Sequence, residues 1–242
     1  MGVPLSIALF FTVMFLDPGK VPARRKNNSA IEDYMKAVQT DVKSADFSKI
    51  CTTTWVLKGP RTKYCRRTGA CVDEFDHFCG WLNTAIGKGN HRVFVILALV
   101  EFSTQFIHLA LCWKAACKLV PNESSVVNWQ LGIWTEYPLT GLLMIMHGFT
   151  SPGIMFLFLN HVRMVAVNIT TNEMMNLYRY GHFWKMKANG GKEFDNPFDK
   201  GTWASNCLDF WWNRRRGVLG PSQTLDGRLV MPQAVMVGNR GG

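Results

Sequence analysis

Residues 74–81 read EFDHFCGW, so Asp76, His77 and Cys79 fall within four positions. Three readings suit such a set: a metal knuckle, a nucleophile with its base, or three polar side chains on a loop. The second has definite chemistry. A free thiol with a pKa of about 8.5 is only slightly ionised at neutral pH, and a neighbouring imidazole raises that fraction or takes the proton during attack. An adjacent carboxylate holds the imidazole in one tautomer and stabilises its cation.

The elements that must position these residues are membrane elements. Val93 to Trp113 is a 21-residue apolar run interrupted by Glu101 and His108, and 24 residues from Pro138 to His161 contain no Lys, Arg, Asp or Glu. Each is long enough for a hydrocarbon core about 30 Å thick. Met1 to Leu16, MGVPLSIALFFTVMFL, has neither the basic start nor the cleavage site of a signal peptide. It reads as the tail end of a transmembrane helix, with the expectation that the chain is a C-terminal fragment of a longer protein or a truncated sequence.

Charge placement gives an orientation. Lys and Arg number 14 in residues 17–92, two in 114–137 and 11 from 162 onward. The positive-inside tendency puts the first and last segments in the cytosol and 114–137 in the lumen. The net charge of +10 then reflects basic flanks beside anionic lipid. No recognition helix or RNA-binding signature points to nucleic acid. Of seven cysteines, Cys51, Cys65, Cys71, Cys79 and Cys207 fall on the expected cytosolic side, where thiols stay reduced; Cys112 lies in a span and Cys117 just beyond it.

Asp17-Pro18-Gly19 is a turn after the first apolar run. A short amphipathic helix is expected within 31–49, and helix again from Met164 to Tyr180. Among the sequons, Asn122 is expected to be lumenal, Asn27 and Asn168 cytosolic. The final GNRGG reads as a frayed end, and Arg214–Arg216 as a lipid-facing cluster. His108, His147 and His161 read as hydrogen-bonded packing groups, and Glu101 as facing a partner helix or an acyl cavity.

The ordered motifs resemble the DHHC protein S-acyltransferases (palmitoyltransferases). Their frame is K-x-P-R-S-K-H-C, then C-V-x-x-F-D-H-H-C-P-W, then N-H-R-x-F. Here it stands as Lys58-Gly59-Pro60-Arg61-Thr62-Lys63-Tyr64-Cys65, then Cys71 through Trp81, then Asn90-His91-Arg92-Val93-Phe94. D-P-G after a span, Thr170-Thr171-Asn172-Glu173 in the place of T-T-x-E, and Asn196-Pro197-Phe198-Asp199 with Asn206 agree. The last of these brings the ankyrin-repeat branch nearest, although the chain contains no ankyrin repeat.

The departures concern metal. The family holds two zinc ions with eight ligands. The matching positions here are Cys51, Thr54, Tyr64 and Cys71 for one site, and Cys65, Thr68, Phe78 and Ala85 for the other. Five are not ligands, whereas structural zinc takes four N or S donors. The expectation is therefore no metal and no other cofactor. Phe78 stands where the family has its zinc-binding second histidine, giving a DHFC variant, and Gly80 replaces the usual proline. The resemblance makes Cys79, His77 and Asp76 the catalytic set. Thr171, Thr170, Glu173 and Asn206 are its supporting residues, Thr171 through a hydrogen bond to Asp76. A plainer reading leaves both threonines as helix-terminus residues and Glu173 as a solvated carboxylate. Trp81 is implied beside the acyl chain, and Lys63, Arg66, Arg67 or Arg92 near the phosphates of CoA.

These readings combine into an all-α polytopic membrane protein with a loop-rich cytosolic cysteine-rich module between transmembrane helices. The expected parts are a partial transmembrane helix (1–16), the cytosolic DHHC-type module (17–92), a span (93–113), a lumenal loop (114–137), a second full span (138–163) and a cytosolic tail (164–242). The implied activity moves a fatty acyl group from palmitoyl-CoA or a similar acyl-CoA, through a Cys79 thioester, to cysteines of substrate proteins. Golgi or endosomal membrane is implied by the same resemblance. The rival is a catalytically inactive membrane adaptor that keeps the fold.

Overall fold

A computed structural model describes residues 2–22, 36, 39, 50–120 and 125–213. The helix expected within 31–49, Asn27, Asn122, Arg214–Arg216 and the GNRGG end lie outside the described residues. The chain forms two compact units, one from 1–13 with 93–163, the other from 14–92 with 164–242.

In the first unit α1 spans Gly2–Phe15, α2 His91–Leu119, α3 Val126–Glu136 and α4 Pro138–Val167. Two of these, α2 and α4, are long and apolar enough to cross a membrane. Both exceed the apolar runs seen in the sequence, because a helix continues past the hydrocarbon wherever no breaker stops it. The segment 114–137 holds the last turns of α2 and all of α3, whose first turn is capped by Ser125 accepting from Val127 N–H. Polar groups along the spans find partners: Gln105 Nε2 donates to Glu101 Oε1 at 2.9 Å, and Thr150 Oγ1 donates to Gln105 Oε1 at 2.8 Å. Glu101 thus belongs to a chain of bonds joining α2 to α4. The His108 and His147 rings lie 5.5 Å apart, and His161 meets Phe94 edge to face at 5.1 Å.

The second unit corrects the all-α expectation. Among the described residues its module carries seven short strands: β1 (Lys20–Val21), β2 (Ile50–Cys51), β3 (Val56–Leu57), β4 (Lys63–Cys65), β5 (Ala70–Val72), β6 (His77–Cys79) and β7 (Thr84–Ile86). They form three small antiparallel sheets, β1-β5-β4, β2-β3 and β6-β7. The turn 17–19 packs on residues 87–89: Gly89 N–H donates to Pro18 O at 3.1 Å, and Asp73 N–H to Gly19 O at 2.9 Å. A Cβ on Gly89 would collide with the Asp17 carbonyl, so glycine is required there. Buried Asn90 ties the hairpin to α2, accepting from Gly87 N–H and donating to Ala85 O.

Beyond α4 come α5 (Thr171–Met175), the hairpin β8 (Trp184–Met186) and β9 (Lys192–Phe194), and α6 (Trp203–Trp212). Helix was expected to run on to Tyr180, but α4 ends at Val167. Asn168 turns left-handed with φ 50°, its N–H bonds to Val165 O, and Ile169 N–H bonds to Met164 O. This is the Schellman ending, with asparagine in the place usually held by glycine.

Candidate active site

On β6 the side chains of His77 and Cys79 share a face, since alternate residues of a strand point the same way. The β6-β7 register, with Phe78 opposite Ala85 and Cys79 opposite Thr84, holds that strand in place. Asp76 is only 1 % exposed, and its Oδ2 lies 2.7 Å from His77 Nδ1. Thr171 binds the same carboxylate twice, N–H to Oδ1 at 2.7 Å and Oγ1–H to Oδ2 at 2.8 Å. His91 Nε2 stands 3.9 Å from Oδ1. With Nδ1 committed to Asp76, Nε2 of His77 is the nitrogen left for Cys79.

The electrostatics follow from these contacts. Burial disfavours the charged form of His77, but its bonds to Asp76 and Cys79 outweigh this and raise its pKa to about 9. Burial likewise opposes a Cys79 thiolate. The His77 bond and the backbone N–H groups of Leu82 and Trp81 overcome it and lower the thiol pKa. Both shifts favour a thiolate beside an imidazolium near neutral pH, the state in which a cysteine attacks a carbonyl.

Thr171 is held by its own helix end. Thr170 caps α5 in a reciprocal box, its Oγ1 accepting from Glu173 N–H while Glu173 Oε2 accepts from Thr170 N–H at 2.8 Å. Thr170 sets the turn that aims Thr171 at Asp76. Glu173 is not a solvated carboxylate. It is buried against Arg61, which donates to both its oxygens at 2.8 and 2.6 Å, and the two side chains are each 4 % exposed. Burial opposes the Arg61 charge, and Glu173 more than offsets it, so its pKa is raised. Arg61 also donates to Asn168 Oδ1 and O and lies over the Phe198 ring at 4.3 Å.

The tail motifs fasten the end of α4. Asn196 donates to Val167 O, Asn206 donates to Ala166 O at 2.8 Å and to Asp199 Oδ1, and Asn168 Nδ2 donates to Phe198 O. Asn206 therefore supports the site at a distance, through the helix end rather than through Asp76. Trp81 is 93 % exposed beside Cys79. Of the four basic residues, Lys63 binds Asn172 Oδ1 and Arg92 binds Phe210 O and Asn213 O. Arg67 lies over the Phe78 ring, and both Arg66 and Arg67 are exposed. The sequence alone assigns no role to Arg61, Asn168 or His91. Arg61 and His91 stand inside the family motifs, which is the available signal; Asn168 shows in the sequence only as a sequon.

Most of the positions that match the family's zinc ligands lie in two buried clusters. Cys51, Val56 and Cys71 form a buried cluster with Tyr64 against it, and Thr54 Oγ1 lies 3.3 Å from Cys71 Sγ. Burial raises the Cys71 thiol to about 11, the thiolate form being further disfavoured by Cys51. Cys65, Val72, Phe75 and Ala85 form the second cluster, with Phe78 packed on it. Two thiols with a hydroxyl and a phenol in one place, and one thiol with a hydroxyl and two hydrocarbon side chains in the other, do not fit tetrahedral zinc.

An acid-held imidazole beside a thiol thus stands on a module continuous in sequence with two membrane-length helices. A family model described as DHHC palmitoyltransferase matches residues 44–178, more than half of the chain, and the chain belongs to that family, whose members are embedded in membranes. It is 29 % identical over 236 residues to palmitoyltransferase ZDHHC17 of Danio rerio, covering 89 % of this chain and 34 % of the relative. It is 31 % identical over 181 residues to palmitoyltransferase AKR1 of Yarrowia lipolytica, covering 74 % and 24 %. These two stand for the ankyrin-repeat branch. The chain thus spans about a third or less of the length of these curated relatives.

Proposed function

We propose that this chain is a protein-cysteine S-acyltransferase centred on Cys79. The observation that carries the reading is Asp76 locked by Thr171 on one side and holding His77 toward Cys79 on the other. The Cys79 thiolate adds to the thioester carbonyl of a fatty acyl-CoA. The bond from that carbon to the CoA sulfur breaks, and the leaving thiolate takes the proton from His77. In the second step a substrate protein's thiol gives its proton to His77, and its sulfur attacks the acyl-enzyme carbonyl. Cys79 leaves as thiolate, beside the imidazolium again. One thioester replaces another in each step, so no ATP is consumed. Exposed Trp81 is the contact offered to the acyl chain, with the chain itself in the bilayer.

The reading includes a cytosolic active site on a Golgi or endosomal membrane and a module built without zinc. Autoacylation with a clickable palmitoyl-CoA, followed by hydroxylamine release, tests it. Wild type should form the labile thioester and Cys79→Ser should not. Absence of label in well-expressed wild type would favour the inactive adaptor, a reading supported by Gly80 and by the lost metal donors.

A further inference from the structure

Helix α6 is turned inside out for a soluble protein. Its inward face is mostly polar: Asn206 and Asp209 are buried there together with Phe210. Asn206 is satisfied by Ala166 O and Asp199 Oδ1, and Asp209 accepts from Asn168 Nδ2 and Asn213 Nδ2. At 100° per residue the opposite half of the helix presents Trp203, Ala204, Cys207, Leu208, Trp211 and Trp212, with no charged side chain among them. Trp203 is 72 % exposed, Leu208 58 % and Trp212 73 %. An amphipathic surface helix in water shows the reverse arrangement.

Two fixed points give the depth of this face. Asn206 is bonded to Ala166, in the last turn of α4, one turn beyond Arg163 at the end of the apolar run. Arg92, at the start of α2, donates to Phe210 O and Asn213 O at 2.6 Å. Helix α6 is thus tied through Asn206, Phe210 and its C-cap Asn213 to residues that bound the two membrane-length segments, the depth at which Trp is enriched and amphipathic helices lie in the plane of the interface. Three arginines, Arg214–Arg216, follow it directly in the sequence. A row of cations after an aromatic face matches an anionic lipid surface.

We propose that the Trp203–Leu208–Trp212 face of α6 lies in the lipid interface, with anionic phospholipid as its occupant. The partner is the bilayer, not a second protein. This surface holds whether or not the chain transfers acyl groups, because its geometry makes no use of Cys79.

The test uses the full chain in vesicles of phosphatidylcholine and phosphatidylserine that include a phospholipid carrying a photoactivatable diazirine near its headgroup, with adducts mapped by mass spectrometry. Adducts are expected on Trp203, Leu208 and Trp212 and not on Asn206 or Asp209. They should fall several-fold when phosphatidylserine is omitted. The triple variant Trp203→Gln, Leu208→Gln, Trp212→Gln should lose the α6 adducts, while a second, acyl-chain diazirine lipid still labels exposed Phe149 and Phe156 of α4. If the triple variant does not insert, Trp212→Gln alone should reduce labelling of the same peptide. Wild type with Phe149 labelled but α6 bare would overturn the proposal, and so would cross-links joining α6 of one copy to another copy.

Discussion

Replacing Glu173 with glutamine isolates the charge that buries Arg61. Glutamine keeps an oxygen for Thr170 N–H, so the capping box survives, but the guanidinium loses its counter-ion where both side chains are 4 % exposed. Removing one partner of a buried pair costs about 3–5 kcal/mol, because the remaining charge stays desolvated. Arg61 retains its bonds to Asn168 and the Phe198 face, which places the expected loss toward the lower end, about 3 kcal/mol. Adding Arg61→Met removes the stranded charge. The double variant should recover part of that loss, leaving at least about 1 kcal/mol for the acceptors of Asn168 that Arg61 had satisfied. The assay is thermal exposure of the buried thiols Cys51, Cys65 and Cys71 to a maleimide dye in detergent solution, run beside autoacylation. A loss under about 1 kcal/mol for Glu173→Gln, or a double variant worse than the single, would refute the argument that Glu173 neutralises Arg61.

His77→Ala should slow acyl-enzyme formation by about 10²–10⁴, the usual worth of a positioned base, measured as CoA release at matched expression. Asp76→Asn should slow it too, by leaving the wrong tautomer facing Cys79. The midpoint of Cys79 alkylation by iodoacetamide should lie below that of an ordinary thiol, because the His77 bond lowers it; in His77→Ala it should move up, and an unmoved profile would remove the ion pair. Because the folded state binds the His77 proton more tightly, this group's contribution to stability is whole below a pH of about 6.5 and is lost as pH rises to about 9. Melts across that window, compared with His77→Ala, read that loss. Elemental analysis of purified protein should find well under one zinc per chain, and two per chain would overturn the pairing of Cys51, Thr54, Tyr64 and Cys71 with family ligand positions.

Both membrane-length helices were legible because a long, mainly apolar run needs no tertiary information. Asp76, His77 and Cys79 were legible because they are neighbours in sequence. The strands were not: two or three residues are too few for an alternation to show, and β1 pairs with β5 some fifty positions away. Helix α3 hid in an expected loop because VVNWQLGIWTE is short and mixed in character. Glu173 and Arg61 are separated by 112 positions, so nothing local revealed their pairing. The same holds for Lys63 and Arg92, whose charges suggested a phosphate but whose donors serve Asn172 and the end of α6. Phe78 was read as filling a lost ligand position, and it packs on the apolar cluster around Cys65 and Ala85.

Between the last turn of α4 and the residue that grips Asp76 there are three residues, and each is fastened. Asn168 is held by Arg61 and Phe198, Ile169 by Met164 O, and Thr170 by Glu173. One inserted residue there would turn α5 by about 100° and carry Thr171 away from the carboxylate. The exposed turn around Asn189 and Gly190 in the β8-β9 hairpin is bonded within the hairpin itself, and extra residues there would only lengthen a loop. What selection must preserve at 168–170 is therefore first of all a length. Drift in this chain should show as insertions and deletions that crowd the hairpin and stop short of the helix end.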